Sequence, residues 1–143
     1  MQHLILTTAL FLSSLMFSQE VETSNLNKQA NITVSVVNAL NDTGTINFGL
    51  FNKENFRQEP SRAQSSLIKN GVSTVVFENV PAGMYAIICF HDENDNKRMD
   101  FQDNGMPIEN YGTSNNPFNL GSPQFDSSKF EVTNKDLTLE IKF

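Results

Sequence analysis

Asn31-Ile32-Thr33-Val34-Ser35-Val36 alternates polar and apolar side chains one for one. A period of two marks a strand with one face on a core and the other on water. The same period returns at Ile46, Phe48 and Leu50, and again across Val72–Glu78. Turn chemistry separates these runs. Asn41-Asp42-Thr43-Gly44 is one turn, and Asn70-Gly71 is the dipeptide of a two-residue hairpin. At Val80-Pro81-Ala82-Gly83, proline fixes φ and glycine is expected to supply a positive φ. Met84–Phe90 is apolar at nearly every position, as expected of a central strand covered on both faces.

The remaining segments are less regular. Lys53–Arg62, with Phe56 and Pro60, reads as a charged loop with one helical turn, and Ser66–Ile68 is a weaker strand candidate. Asn104–Gln124 is rich in Gly, Pro, Asn and Ser and far longer than strand connections usually are. Lys129–Thr133 and Leu137–Phe143 are expected to pair as a hairpin around Asn134-Lys135-Asp136. About seven strands with turn-rich connections predict an all-β fold. The expectation is a single antiparallel β-sandwich, immunoglobulin-like or prealbumin-like, carrying one long Gly/Asn-rich loop.

With 143 residues, 38% of them hydrophobic, the chain can bury the core of one domain. Leu4–Phe17 is an apolar run too short to span a bilayer, and polarity begins at Ser18-Gln19-Glu20. Residues 1–18 therefore read as a signal peptide, 19–30 as a linker and 31–143 as the domain. The n-region carries His3 but no Lys or Arg, so a buried N-terminal strand or helix is the competing reading. Export to the periplasm or cell exterior is expected, with no integral membrane segment after cleavage. The single cysteine, Cys89, lies in the apolar strand run, so no disulfide framework accompanies export and the thiol reads as a small buried hydrophobe. The net charge of −6 falls entirely outside residues 1–18. No basic stripe exists to neutralise phosphates, which argues against nucleic acid and anionic membrane as partners and favours cations.

One stretch carries candidate chemistry for a cation. In His91-Asp92-Glu93-Asn94-Asp95-Asn96-Lys97-Arg98-Met99-Asp100-Phe101-Gln102-Asp103, oxygen-bearing side chains fall at Asp92, Asn94, Asn96, Asp100 and Asp103. Taken as positions one, three, five, nine and twelve, they have the spacing by which a short loop wraps calcium, with the Arg98 carbonyl at position seven. Met99 would then face the core. Two positions weaken the fit. Lys97 stands where glycine usually makes a left-handed turn, at a cost of about 1 kcal/mol, and Asp103 stands where the longer glutamate usually binds through both oxygens. A dissociation constant of about 10⁻⁴–10⁻³ M is expected. A solvated loop of Asx turns is the competing reading.

Other chemistry is thinly represented. His91 is the one histidine beyond residue 18 and Cys89 the one cysteine, which excludes zinc sites built on several of either. No Gly-x-Ser-x-Gly elbow is present. A small metal-dependent hydrolase using His91, Asp92 and Asp100 is an alternative to a non-enzymatic module. A second alternative is a carbohydrate or peptide binder through the 104–124 loop, where Tyr111, Phe118 and Phe125 accompany Asn110, Ser114, Asn115 and Asn116. His91, Asn110, Tyr111, Ser114, Asn115 and Asn116 are the candidate ligand-binding residues, although Phe118 and Phe125 could equally pin the loop while the asparagines satisfy its backbone.

Four blocks carry a family likeness: Gly49-Leu50-Phe51-Asn52; Phe77-Glu78-Asn79-Val80-Pro81-Ala82-Gly83-Met84-Tyr85-Ala86; Phe90-His91-Asp92-Glu93-Asn94; and Gly105 to Asn116, Gly-Met-Pro-Ile-Glu-Asn-Tyr-Gly-Thr-Ser-Asn-Asn. Through them the chain resembles the bacterial secreted family catalogued as domain of unknown function 2141, from about Ile32 to the C-terminus. The resemblance implies an exported β-sandwich domain and assigns no activity. The chain departs from the family's glycine-rich pattern at Asp95 and Lys97, which bears on the loop's ion affinity. The reading that results is an exported non-enzymatic binding or structural module of the bacterial cell envelope. It would be stabilised by calcium, with an envelope protein, glycan or peptide as partner.

Overall fold

The computed structural model describes residues 29–118 and 121–143. The expected signal peptide 1–18 and residues 19–28 of the expected linker lie outside them. Gln29 and Ala30 belong to the first strand, where they pair with Pro81 and Val80, so the sandwich starts two residues ahead of the expected boundary. The elements run β1 (Gln29–Val36), β2 (Thr45–Phe51), β3 (Arg62–Leu67), β4 (Ser73–Pro81), β5 (Gly83–Asp92), β6 (Tyr111–Thr113), α1 (Phe125–Ser128), β7 (Phe130–Val132) and β8 (Leu137–Ile141). They form two sheets, one ordered β4-β1-β8 and the other β3-β2-β5-β6, with β7 also paired to β5. This is the expected β-sandwich, except that β1 and β8 run parallel.

The period-two pattern sends alternate residues inward. Ile32, Val34 and Val36 from β1 meet Ile46, Phe48 and Leu50 from β2 and Ile87 and Cys89 from β5 in one core. Val75, Phe77 and Val80 from β4 join them, although the step from Phe77 to Val80 is odd and would put the two on opposite faces of a regular strand. A bulge resolves it. Asn31 faces two residues, Glu78 and Asn79, between the pairs Ala30–Val80 and Ile32–Phe77. Asn79 adopts φ 52° and donates its N–H to Asn31 Oδ1 at 3.0 Å. The Arg62 guanidinium donates to the carbonyls of Glu78 and Asn79. The expected positive φ at Gly83 is corrected: the left-handed residue in this segment is Asn79.

Asn70 and Gly71 take φ 53° and 74° between the mutually hydrogen-bonded Lys69 and Val72, as a two-residue hairpin turn requires. The flanking strands then diverge into different sheets. Asp42 accepts the N–H groups of Gly71 and Asn70, each at 2.8 Å. Those bonds hold its carboxyl below the usual aspartate range and tie the β1–β2 turn to this hairpin. The expected hairpin of Lys129–Thr133 with Leu137–Phe143 is a correction: β7 pairs with β5 and β8 with β1. The short connection crosses between the sheets, and Asp136 Oδ1 pins it by accepting the Asn31 N–H at 2.8 Å. β3 takes in Ser66 and Leu67 of the weaker strand candidate Ser66–Ile68 and extends it back to Arg62, the last residue of the expected charged loop.

Cys89 Sγ is buried against the Gly112 carbonyl at 3.6 Å, and burial pushes its thiol pKa up. A thiolate is the reactive form. The native protein should therefore resist an excess of an aromatic disulfide reagent, and the unfolded protein should release the colour of a single thiol. Rapid reaction in native buffer would contradict this burial.

Candidate functional site

β5 delivers His91 and Asp92 to opposite faces of its sheet, as consecutive strand residues must be. His91 lies opposite Ile46 in the β2–β5 register, on the core side, and is fully buried. Its Nε2 is 2.7 Å from the Thr43 carbonyl. A carbonyl can only accept, so Nε2 carries the proton and Nδ1 is bare in the neutral ring. Nδ1 has no hydrogen-bond partner and lies 3.8 Å from Glu93 Oε1. The imidazole thus braces the β1–β2 turn. This corrects two expectations: His91 cannot touch a ligand from the interior, and it cannot share a reaction centre with the carboxylate of Asp92.

Asp92 leaves the other face, yet is also fully buried. Its Oδ1 accepts the Asn96 N–H at 3.0 Å, and its Oδ2 accepts the Lys97 N–H at 2.8 Å and the Asn47 amide at 3.0 Å. The backbone is thereby drawn into a tight coil in which Asp95 and Lys97 take φ 54° and 64°. Lys97 makes the left-handed turn for which glycine is usually required. Asn94 and Asn96 then reach Asp100. Both amide nitrogens donate to its Oδ2, at 2.8 and 2.7 Å, while Asn96 Oδ1 accepts the Arg98 N–H at 2.8 Å. Asp92, Asn94, Asn96 and Asp100 therefore form one connected cluster.

Asp103 does not join it. It sits exposed in a turn closed by Gly105 N–H on the Gln102 carbonyl at 2.8 Å, which corrects its expected place as the closing ligand. Glu109, from beyond the loop, reaches the cluster instead. Its Oε2 accepts the Asp100 N–H at 3.2 Å, and its Oε1 is buried without a partner. Burial raises the Glu109 pKa, and the negative charges of Asp92 and Asp100 add to that shift against the Asp100 and Glu93 N–H groups. Among the described residues no group of three or more His, Cys, Asp or Glu side chains is gathered closely enough to hold a metal ion. The two asparagine amides lie against Asp100 where a cation would have to enter. Glu109 was missed because it lies beyond the loop's local spacing. The usual glutamate at position twelve, wanting here, was the available signal.

The ligand-binding candidates divide. Ser114 is fully buried; its hydroxyl accepts the Ile87 N–H at 2.9 Å and donates to the Ser128 carbonyl. Asn115 donates to the Lys129 carbonyl at 2.8 Å, and Asn116 brackets β8 by accepting the Lys142 N–H and donating to the Glu140 carbonyl. These three hold the fold, which corrects their expected role. Asn110 and Tyr111 line a groove of about 730 Å³ on the outer face of β5. Its floor includes Ile88 and Phe90, and the acidic loop and its continuation supply Met99, Phe101, Met106 and Ile108. Phe125 packs edge-on against Phe56 at 5.5 Å, whereas Phe118 is 92% exposed and pins nothing. Arg57, also on the groove, lies in the segment that the sequence marked only as a charged loop.

No functionally curated protein matches the chain. Among solved structures, a pilus-presented adhesin is similar at 16% identity and a TM-score of 0.28, over 80% of this chain and 27% of the adhesin. A cysteine-to-alanine mutant of that adhesin gives 14% and 0.26 with the same coverage. The chain thus spans about a quarter of the adhesin's length, and similarity at that level carries no argument about role. A family model described as an uncharacterized protein conserved in bacteria matches residues 34–140. That range runs from within β1 to within β8 and takes in the acidic cluster and the groove. The chain belongs to the bacterial DUF2141 family.

Proposed function

We propose that the protein is an exported, non-enzymatic β-sandwich binding module of the bacterial envelope, periplasmic or extracellular, whose 92–109 loop is ordered by calcium. The observation that carries the calcium reading is the knitted cluster of Asp92, Asn94, Asn96 and Asp100 beside a buried, unpartnered Glu109 oxygen. Calcium takes six to eight oxygens in flexible geometry. Asp92 and Asp100 would supply carboxylates, Asn94 and Asn96 would turn their amide oxygens inward, and Arg98 would offer its carbonyl. Glu109, longer than aspartate, would replace Asp103 in closing the shell. Each of these oxygens is hard, and together they suit calcium better than a softer metal. The buried ring of His91 supports the non-enzymatic reading.

Thermal unfolding tests this. With the expected affinity, about 10 mM calcium should stabilise the protein by about 1.5–3 kcal/mol, a rise of several degrees in Tm. Asp92→Ala and Glu109→Gln should abolish the rise, and Asp103→Ala should leave it intact. The pH dependence has a fixed sign. Without calcium, folded Glu109 holds its proton to higher pH than unfolded glutamate does. Stability from this group therefore falls as pH rises from the unfolded to the folded pKa, and Glu109→Gln should remove that fall. Calcium must displace the same proton, so its stabilisation should fade as pH drops through the Glu109 titration. A Tm unmoved by calcium, or moved equally in Asp92→Ala, would overturn the reading.

A further inference from the structure

The groove deepens the binding-module reading by indicating what it binds. We propose that it takes an aliphatic carboxylate, with the hydrocarbon chain lying along Ile88 and Phe90 and the carboxylate on the Arg57 guanidinium. A volume of about 730 Å³ is in the range of small-molecule sites. The floor is the outer face of a central strand, where Ile88 and Phe90 are only half-buried. Met106 and Ile108 on the wall are 60% and 62% exposed. Apolar surface gathered in a concavity on a protein of this charge is unusual and marks a contact site. The unbranched methionines can reshape to a flexible chain.

Arg57 sets the polarity of the ligand. It is the one cation lining the groove and Glu109 the one acid. Among the described residues Arg57 has neither ion pair nor side-chain hydrogen bond. Its backbone is held at φ 64°, a conformation disfavoured for any side chain with a Cβ. The surrounding loop over-determines it. Asn55 accepts the Asn52 N–H through its side chain, accepts the Gln58 N–H through its carbonyl, and donates to the Glu59 carbonyl and Ser61. A strained, exposed residue kept by such a network, presenting a fork of donors without a protein partner beside apolar surface, suits a single carboxylate. The chain's net charge of −6 disfavours polyanions.

Two competing occupants fit less well. A sugar needs many polar partners, whereas the floor is aliphatic and aromatic and the Tyr111 hydroxyl is engaged by the Gly121 carbonyl at 3.2 Å. An extended peptide adds to a free strand edge, but the floor is a sheet face whose strand is paired with β2 and β6 on its two sides.

Calorimetric titration of the purified protein with decanoate, decanol and decyltrimethylammonium, each below its micelle concentration, tests the proposal. Decanoate should saturate one site and bind at least about tenfold more tightly than the ammonium. Arg57→Gln should lose about that factor for decanoate and leave decanol unchanged, whereas Ile108→Asp should weaken both. The two positions are exposed, and unfolding curves would verify that each variant is folded. No saturable heat from decanoate, equal affinity for the two charged heads, or wild-type binding by folded Arg57→Gln would overturn it. Titrations with calcium and with a chelator separate this proposal from the previous one. Decanoate binding without a calcium-induced rise in Tm supports the groove and removes the ion. A calcium response without decanoate binding does the reverse.

Discussion

Gly44→Ala should cost about 3 kcal/mol or more and lower the melting temperature by about 10 °C. Gly44 has φ 71°, and a Cβ placed on it would lie 2.0 Å from the Asp92 carbonyl oxygen and 2.8 Å from the Glu93 Cα. Both atoms belong to backbone, so no side chain can swing aside. Either the β1–β2 turn or the end of β5 must move, and β5 is paired along its length with β2. Gly105→Ala is the internal control. Its φ is 80°, but an added Cβ would meet nothing within 4 Å, so only the left-handed strain of about 1 kcal/mol remains. Circular dichroism melts of the two variants should differ by well over the effect of strain alone. Equal losses would mean that the turn does not press on the start of the acidic loop.

Asp92→Ala should be the next most damaging change, at about 3 kcal/mol in chemical denaturation. The carboxylate is fully buried and serves three donors: the Asn96 and Lys97 N–H groups and the Asn47 amide. Truncation leaves the Lys97 N–H and the Asn47 amide without an acceptor and the Asn96 N–H with only Asn94 Oδ1, at 3.1 Å, and an unmade buried hydrogen bond costs more than a made one contributes. Asp92→Asn keeps the shape and one acceptor oxygen, and should fall between alanine and wild type. Asp100→Ala should cost under about 1 kcal/mol, because Asn94 is exposed and Asn96 half-exposed, and water can replace the carboxylate. An Asp92→Ala variant no weaker than Asp100→Ala would show that the coil does not depend on the buried carboxylate.

The legible parts of the sequence were those whose signal is local. Ile32, Val34 and Val36 announced β1 because one face is core and the other water. β3 went largely unread because Arg62–Leu67 leaves nearly every side chain exposed, so no hydrophobic period exists to detect. Asn134-Lys135-Asp136 carries real turn chemistry, but a turn states that the chain reverses and not which sheet receives it. The acidic loop shows the same boundary. Its 92, 94, 96 and 100 spacing gathers as a coil because Asp92 can accept two consecutive N–H groups within five residues. Glu109 arrives from outside that window, guided by packing of the long loop on β5. Asn115 and Asn116 could be read as recognition groups or as backbone partners from identity alone. Only the positions of Lys129, Glu140 and Lys142 decide in favour of the second. Nothing in the neighbourhood of Arg57 distinguished it from other surface charge.

The parallel pairing of β1 with β8 has a consequence for the order of synthesis. The contact between Asn31 and Asp136 joins positions 105 residues apart, and β1 has β4 on its other side. Until β8 is free to pair, the earliest strand of the sandwich has only one of its two neighbours. A chain of this topology would mature late and all at once, once its last strand has been delivered. Ending translation before Leu137 should yield an unfolded product with an unpaired strand edge rather than a smaller stable domain.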